Sequence, residues 1–395
     1  MIHVTEMHSS PGGDSSRGAL HHPAYRNWVE IDLSIIRNNV KTIRHLIGPY
    51  RLLMPCVKSN AYGHGLVQAG LAAIQGGADR LCVAFVEEGI VLRQAGITVP
   101  IQVLFEPTPQ NVARWQEFDF IASLSSISVI PALAANLAAP IEVHIHVDTG
   151  LGRVSLQPEN VGNFYKILSA FDCFKIEGVF SHFSNSYQLA TGRNKEVSMN
   201  QLHRFKGALT TLEKSGFDIP LKHMANSGGI LQYPESYFDM VRPGNLIYGY
   251  RPNYSRIPLK AALSWKTQIR SLVKAPREVG MGYNQAYIPA TDTTIALIDI
   301  GFADGFPSGL SGSGHVLVHG VKAPIVGTMG MDQTMIDVGH IPDLSLCEEV
   351  VLVGRQENLE ISAVELGDNL SVNPSSISCG ISRRTSTIYK NAIQL

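Results

Sequence analysis

The sequence lacks the features that mark nucleic-acid-binding, membrane-spanning and exported proteins. Its 395 residues contain no block rich in Lys and Arg, and the formal net charge is −1. This argues against nucleic acid or an anionic membrane as the main partner. No apolar run reaches the length of a membrane span. Residues 1–25 are polar and lack the apolar core of a signal peptide, so we expect a disordered lead-in and a cytoplasmic protein.

Cysteine is also scarce. The five cysteines are odd in number and scattered, with no pair at metal-ligand spacing. This usage is typical of reduced thiols in a cytosolic protein, and it predicts no metal site. The cysteines are Cys56, Cys82, Cys173, Cys347 and Cys379.

The first two thirds of the chain alternate between short apolar runs and segments that can be helical. Such alternation predicts an α/β fold with a parallel sheet, and eight units fit a TIM-type barrel. An open doubly wound sheet is the alternative, but no G-x-G-x-x-G follows the first strand. We therefore predict an eight-stranded barrel over residues 34–262. Its strands are predicted at residues 52–57, 81–85, 101–105, 120–124, 141–147, 175–180, 221–224 and 240–242.

The remaining third has a different texture. Its segments are short, rich in β-branched residues and separated by Gly and Pro, which predicts an antiparallel β domain over residues 263–395. One helical piece is expected at residues 361–370. The predicted strands are residues 263–273, 294–300, 315–318, 323–328, 334–338 and 349–353.

Polar residues follow several of the barrel strands, at the end where such barrels carry their active sites. Lys58 ends the first apolar run. There, partial burial would lower the pKa of its amine and favour a Schiff base. A surface lysine is the alternative interpretation. Ser227 and Gly244 offer a hydroxyl and backbone N–H groups for an anion, Tyr62 can pack on a ring, and His182 and Arg242 can contact it. These parts predict pyridoxal phosphate as a cofactor.

A family resemblance supports this prediction. The stretch Val57-Lys58-Ser59-Asn60-Ala61-Tyr62-Gly63-His64-Gly65 closely resembles the pyridoxal-phosphate attachment signature of alanine racemases. The likeness runs from Val29 to about Arg384 and includes Asp148-Thr149-Gly150-Leu151-Gly152-Arg153, His182-Phe183, Ala225-Asn226-Ser227, Val241-Arg242-Pro243-Gly244, Gly301-Phe302-Ala303-Asp304-Gly305 and Met331-Asp332-Gln333.

The resemblance implies a barrel, a C-terminal β domain, and an N-terminal strand over residues 26–33 that joins the β domain. It also implies interconversion of L- and D-alanine by two-base proton transfer on a pyridoxal-phosphate aldimine. The implied cofactor-binding residues are Lys58, Tyr62, Arg153, His182, Asn226, Ser227, Arg242, Gly244 and Asn245.

The two implied catalytic bases are Lys58 and Tyr283, with Tyr287 as a competitor for the second role. The tyrosine would come from a second subunit, so the implied partner is a second copy in a homodimer with shared active sites. Nearby cations, Arg153 and His182, would help the tyrosine to ionise. Arg153 and Met331 are the implied substrate-binding residues.

Arg242 is implied to face the pyridine nitrogen of the cofactor. A guanidinium does not readily give up a proton, so it would donate a hydrogen bond and leave the ring nitrogen largely unprotonated. That arrangement should suppress side reactions such as transamination.

Three positions depart from the common pattern of the family. His146 stands where many members carry a lysine modified to a carbamate, so Arg153 must be oriented otherwise, by a bound anion or by Asp148. Arg383 stands where some members have a phosphate-binding tyrosine, and Phe302 where many have a tyrosine at the substrate entry. These changes leave strict specificity for alanine open.

The sequence leaves three alternative functions. A broad-specificity racemase would accept serine or basic amino acids. A decarboxylase of the same barrel type would place an acidic residue at the pyridine nitrogen, which Arg242 argues against. A non-catalytic pyridoxal-phosphate carrier would lack a β domain with a second base.

Overall fold

The structure is a computed structural model that describes residues 25–392. The predicted disordered lead-in lies outside these residues except for Tyr25. No helix among the described residues is long and apolar enough to cross a bilayer. The chain starts with strand β1 (Asn27–Asp32), and eight short strands follow. They are β2 (Leu52–Leu53), β3 (Leu81–Val83), β4 (Ile101–Val103), β5 (Phe120–Leu124), β6 (Ile141–His146), β7 (Phe174–Phe180), β8 (Leu221–His223) and β9 (Met240–Val241).

These eight strands form the predicted parallel barrel. Their order is β2-β9-β8-β7-β6-β5-β4-β3, and every pairing is parallel. A parallel bridge between Cys56 and Cys82 joins the two ends of this order and closes the barrel. Every residue of β5 is buried, which explains why the strands read as continuous apolar runs rather than alternating ones.

The first barrel strand is shorter than the predicted run of residues 52–57. Pro55 has no N–H to donate, so regular pairing stops before it. The chain nevertheless stays bonded beyond the proline. Met54 N donates to Val241 O at 2.9 Å, and Cys56 N donates to Pro243 O at 2.8 Å. The apolar run therefore reaches the barrel mouth and delivers Lys58 there.

Helices fill the outside of the barrel and one end of the β domain. The first one begins after Asp32, whose carboxylate caps Ser34 N at 2.9 Å, and it buries a stripe of apolar residues. The helices are α1 (Leu33–Ile47), α2 (Lys58–Tyr62), α3 (Leu66–Gln75), α4 (Val86–Gln94), α5 (Ala113–Glu117), α6 (Ile130–Ala134), α7 (Val161–Leu168), α8 (Gly192–Lys214), α9 (Ser227–Gln232), α10 (Ala363–Leu370) and α11 (Pro374–Cys379).

The C-terminal region is the expected β domain, with eight strands of its own. They are β10 (Leu263–Ala275), β11 (Thr293–Ile298), β12 (His315–Val318), β13 (Val321–Val326), β14 (Thr334–Asp337), β15 (Glu349–Gln356), β16 (Leu359–Ile361) and β17 (Ser386–Lys390). β15 pairs with both β12 and β10, which closes a small antiparallel barrel. β1 joins this sheet, as the resemblance implies. It lies antiparallel to β10 but parallel to β17, so the domain is not purely antiparallel.

A buried carboxylate ties the residues before β1 and before β17 to the β domain. Asp304 accepts hydrogen bonds from Arg26 Nη2 at 2.5 Å, Arg384 Nε at 2.7 Å and Gly301 N at 3.0 Å. Its side chain is fully buried. Burial alone would raise its pKa, but these donors outweigh that effect and hold the pKa below the ordinary value. The Gly301–Gly305 motif therefore has a structural role.

We predict that Asp304→Ala lowers the free energy of unfolding by about 2–4 kcal/mol, because it leaves two arginines without their shared anion. Urea denaturation at neutral pH measures the change. Asp172→Ala, at an exposed turn position, is the matched control and should change stability by less than ~0.5 kcal/mol. Equal small effects for both variants would contradict the anchoring role.

Candidate active site

A cavity of about 360 Å³ opens at the carboxyl ends of the barrel strands. The structure brings nine of the eleven predicted site residues to its walls, although they come from five separate parts of the sequence. They are Lys58, Tyr62, Arg153, His182, Asn226, Ser227, Arg242, Gly244 and Asn245.

Lys58 opens a short turn of left-handed helix. Residues 59–62 all have φ between 52° and 54°, a conformation that costs about 1–2 kcal/mol per residue for L-amino acids. Hydrogen bonds hold the turn in place. Ser59 N donates to Glu88 Oε1 at 2.5 Å, and Asn60 Oδ1 accepts from Leu66 N at 2.9 Å. Strain of this kind persists where the surroundings fix it, commonly at functional sites.

The β domain packs directly on this turn, and two glycines make the contact possible. A Cβ on Gly63 would lie 2.3 Å from Ser378 O, and one on Gly65 would lie 1.9 Å from Tyr389 Oη. Both glycines also have positive φ, which side chains disfavour. The glycines of the lysine motif therefore serve the close approach of α11 and β17 to the residues after Lys58.

Arg242 is buried at the cavity wall, with 4% of its surface exposed. Its Nη2 donates to Ser181 O at 2.6 Å and its Nη1 donates to His223 Nδ1 at 2.5 Å. The guanidinium also lies over the Phe180 ring, 5.2 Å from the centroid. Burial lowers the pKa of Arg242 to about 10, so the side chain remains charged at neutral pH.

A chain of hydrogen bonds connects Arg242 to Glu177 and Arg80 through two buried histidines. Because His223 Nδ1 accepts from Arg242, its Nε2 carries the proton and donates to His144 Nδ1 at 2.7 Å. His144 Nε2 then donates to Glu177 at 2.8 Å, and Arg80 binds the same carboxylate through two nitrogens at 2.7 and 2.8 Å. Sequence reasoning missed this line, because His144, Glu177 and His223 lie inside strands that were recognised only as apolar runs.

The histidines beside Arg242 are neutral. Burial and the charges of Arg242 and Arg153 lower the pKa of His182 well below its ordinary value. Burial and the same two arginines lower the pKa of His146 to about 3, and its ring stacks on Phe180 at 4.1 Å between centroids. The expectation that His182 acts as a cation is therefore wrong.

Hydroxyl groups gather at one end of the cavity. Ser227 Oγ accepts from Gly244 N at 3.0 Å and from Leu246 N at 3.4 Å, so its own proton is available to a ligand. Gly244 has no side chain at a point where a Cβ would lie 2.5 Å from Tyr62 Oη. The Tyr62 hydroxyl therefore lies at this end. Asn245, also in the cavity wall, follows Gly244.

Asn226 shapes the neighbouring wall. Its Oδ1 accepts from Gly229 N at 3.0 Å and from Ser186 Oγ at 2.7 Å, which leaves its Nδ2 to donate to His182 Nε2 at 3.3 Å. This bond orients the His182 ring toward the cavity.

Four further groups in the cavity wall were not predicted: Tyr187, the Cys56–Cys82 pair, Asn373 and Ser375. The last two belong to the α11 region of the β domain, which the sequence analysis did not predict. Arg383 is exposed and is not among the residues that line the cavity. Tyr187 supplies a phenol there instead, with its hydroxyl donating to Tyr250 O at 2.7 Å.

Arg153 reaches the cavity from a loop that Asp148 organises. The Asp148 carboxylate accepts from Gly150 N at 2.7 Å, Leu151 N at 2.9 Å and Arg153 N at 2.9 Å. Asp148 therefore fixes the backbone of this loop. Among the described residues, no hydrogen bond joins its carboxylate to the Arg153 guanidinium. The sequence analysis considered a bound anion or Asp148 as the group that orients Arg153. The hydrogen bonds of Asp148 reach only the main chain of the loop.

Tyr283 and Met331 lie elsewhere, in a groove of about 760 Å³ on the β domain. Their side chains are 67% and 56% exposed, and neither lines the barrel cavity. Tyr287, the competitor of Tyr283, is half-buried, and its hydroxyl donates to Asp337 at 2.6 Å. Burial and this carboxylate raise the pKa of Tyr287 to about 12.

Comparison with known proteins agrees with this architecture. The family models for the N-terminal and C-terminal domains of alanine racemase match residues 31–252 and residues 262–389. An alanine racemase from Halothermothrix orenii is 39% identical over 372 residues, which cover 93% of this chain and 97% of that protein.

Solved structures lead to the same family. The crystal structure of alanine racemase from Bacillus anthracis with bound L-Ala-P has a TM-score of 0.85 at 33% identity and covers 93% of this chain and 95% of that chain. Alanine racemase from Bartonella henselae with covalently bound pyridoxal phosphate has a TM-score of 0.82 at 27% identity and covers 93% and 100% of the two chains. Because the matches include both domains and almost the whole length, this chain belongs to the alanine racemase family.

Proposed function

We propose that the protein interconverts L- and D-alanine with pyridoxal phosphate bound to Lys58. The observation that carries this proposal is the cavity itself. It brings together an amine, a hydroxyl-rich end and a buried arginine at one barrel mouth. When bound, the cofactor supplies an electron-accepting ring that makes the α-proton of an amino acid removable.

The residues present fit this cofactor. The hydroxyls of Ser227 and Tyr62, which both lie close to Gly244, suit a phosphate. Arg242 suits the pyridine nitrogen of the cofactor, because the guanidinium always carries N–H donors and can hydrogen-bond to an unprotonated nitrogen. Arg153, a planar guanidinium with its loop fixed by Asp148, suits the substrate carboxylate.

The line from Arg242 to Glu177 gives Arg242 its fixed orientation. Each proton in the line points toward the Glu177 carboxylate, so His223 presents a lone pair to the arginine. Burial acts to raise the pKa of Glu177, but hydrogen bonds from His144 and Arg80 outweigh it and lower the pKa to about 2. The carboxylate therefore stays charged over the whole working range and keeps His223 an acceptor.

Racemisation needs a proton group on each side of the substrate. Lys58 serves one side. We assign the other to Tyr283 of a second copy of the chain, because Tyr283 is exposed in a groove away from the barrel cavity and Tyr287 is engaged by Asp337. The proposed active unit is a homodimer with two shared sites, and Met331 would reach the substrate from the partner together with Tyr283.

The altered position at His146 bears on specificity. A neutral imidazole stacked on Phe180 supplies no negative charge to Arg153, so His146 does not compete with an anionic substrate for the guanidinium. A broad-specificity racemase remains the alternative function. Turnover on alanine, serine, lysine and arginine separates the two, since equal or faster rates on lysine or arginine contradict the assignment to alanine. Release of carbon dioxide would instead indicate a decarboxylase.

We predict that Lys58→Ala abolishes covalent cofactor attachment and racemisation, because Lys58 supplies the only amine among the described residues that line the cavity. Borohydride reduction followed by peptide mass spectrometry locates the attached cofactor, and circular dichroism follows the conversion of L-alanine. Lys175→Ala, at an exposed position of a barrel strand, is the control and should retain both properties. Attachment that persists in Lys58→Ala would refute the role of this lysine.

We also predict that Glu177→Gln lowers the free energy of unfolding by about 1–3 kcal/mol at pH 7. Because the folded pKa of about 2 lies below the ordinary value of 4.5, this stabilisation is complete above pH 4.5 and disappears as the pH falls toward 2. Urea denaturation of both proteins across this range measures the difference. The exposed Glu213→Gln variant should behave like the parent at every pH, and a pH-independent deficit in Glu177→Gln would contradict the assigned ionisation.

A further inference from the structure

Two of the five cysteines meet at the seam where the barrel closes. Cys56 and Cys82 are direct partners in the bridge between the ends of the sheet order. Val57 N donates to Cys82 O at 2.9 Å, and Cys82 N donates to Pro55 O at 3.0 Å. Paired residues on neighbouring strands are about 4.8 Å apart, within the Cα separation of about 4.4–6.8 Å that disulfides require. The backbone therefore already holds the two cysteines at bridging distance.

Both thiols lie in the wall of the active-site cavity. Cys56 is 7% exposed and Cys82 is fully buried, yet both line the cavity together with Lys58 and Arg242. On the other side they pack against Met54 and Met240. A small molecule that enters the cavity can contact the two thiols. A ligand that fills the cavity prevents such a molecule from reaching them.

The surroundings make one thiol the nucleophile and the other its partner. A hydrogen bond from Cys82 and the nearby charge of Lys58 lower the pKa of Cys56, in spite of burial. The same hydrogen bond, together with burial, raises the pKa of Cys82. A thiolate in an electropositive, partly accessible pocket is the form that reacts with oxidants.

We propose that Cys56 and Cys82 form an oxidation site for hydrogen peroxide in the cofactor-free protein, and that bound pyridoxal phosphate shields it. The Cys56 thiolate attacks the peroxide oxygen, the O–O bond breaks, and Cys56 becomes a sulfenic acid while hydroxide leaves and is protonated to water. Cys82 then attacks the Cys56 sulfur, the S–O bond breaks, and a second water leaves as the disulfide forms. One peroxide is reduced for each pair of thiols oxidised.

The disulfide would alter the cavity where the cofactor binds. Cys56 is two residues before Lys58, and its carbonyl accepts from Tyr248 Oη at 2.9 Å, so drawing the two sulfurs together moves the wall beside the lysine. Oxidised protein should therefore bind pyridoxal phosphate more weakly until a thiol reductant restores it. The shielding part of this proposal rests on the proposed function, whereas oxidation of the empty protein does not.

The test compares cofactor-free and cofactor-loaded protein after treatment with hydrogen peroxide. Mass spectrometry of unreduced peptides should detect a Cys56–Cys82 crosslink in the empty protein, reversed by dithiothreitol, and forming at least about tenfold more slowly in the loaded protein. Cys347→Ser, at an exposed cysteine, should leave the crosslinking rate unchanged. Cys82→Ser should leave a Cys56 sulfenic acid that dimedone traps.

Two outcomes overturn the proposal. One is that both thiols stay reduced in the empty protein while Cys347 is oxidised. The other is equal crosslinking in protein whose absorbance confirms bound cofactor. If no cofactor binds at all, the proposed function fails. The peroxide treatment of the empty protein still shows whether Cys56 and Cys82 form a disulfide. The wild-type peptide analysis is sufficient even where the Cys82→Ser variant does not fold.

Discussion

A guanidinium buried at the mouth of the barrel governs the chemistry of the site around it. Arg242 has 4% of its surface exposed, and no Asp or Glu is among the described residues that line its cavity. Its charge is balanced by carbonyl oxygens, an aromatic face and the Nδ1 lone pair of His223. A buried cation of this kind keeps neighbouring imidazoles neutral, so the cavity presents Lys58, Arg153 and Arg242 as its cations. That potential suits a phosphate and an amino-acid carboxylate.

The lysine depends on the second domain as much as on the barrel. The left-handed turn after Lys58 is strained on its own, and α11 and β17 of the β domain rest on it at Gly63 and Gly65. Asp304 in turn binds Arg26, which precedes β1, and Arg384, which precedes β17. Anchoring of the β domain and positioning of the Lys58 amine are therefore parts of one packing arrangement.

Most of the fold could be predicted from the sequence because its signals are local. Most residues of the barrel strands are buried, so the strands read as apolar runs, and one such run, residues 120–124, is fully buried and matches β5 residue for residue. The short strands β16 and β17 and the helix α11 carry weaker patterns and were missed. Lys58, Ser227 and Arg242 each follow a barrel strand. Their placement at one mouth of the barrel could be predicted because the carboxyl ends of parallel strands lie at the same end of the barrel.

The remaining features could not be predicted because they depend on contacts between distant parts of the chain. The polarity of the His223–His144 pair is set by Glu177, which lies on another strand. His182 is neutral because it is buried, and this burial cannot be inferred from its neighbours in the sequence. Cys56 and Cys82 read as scattered thiols and become neighbours only when the barrel closes.

We propose that each active site combines Lys58 of one subunit with Tyr283 of the other. Heterodimers of Lys58→Ala and Tyr283→Phe chains, purified with two different tags, test it directly. In a two-fold symmetric dimer with shared sites, one site loses both groups and the other keeps both, so we predict about half of the wild-type racemase activity per dimer. Heterodimers as inactive as the two parent variants would show that both groups act within a single chain, and would contradict this account.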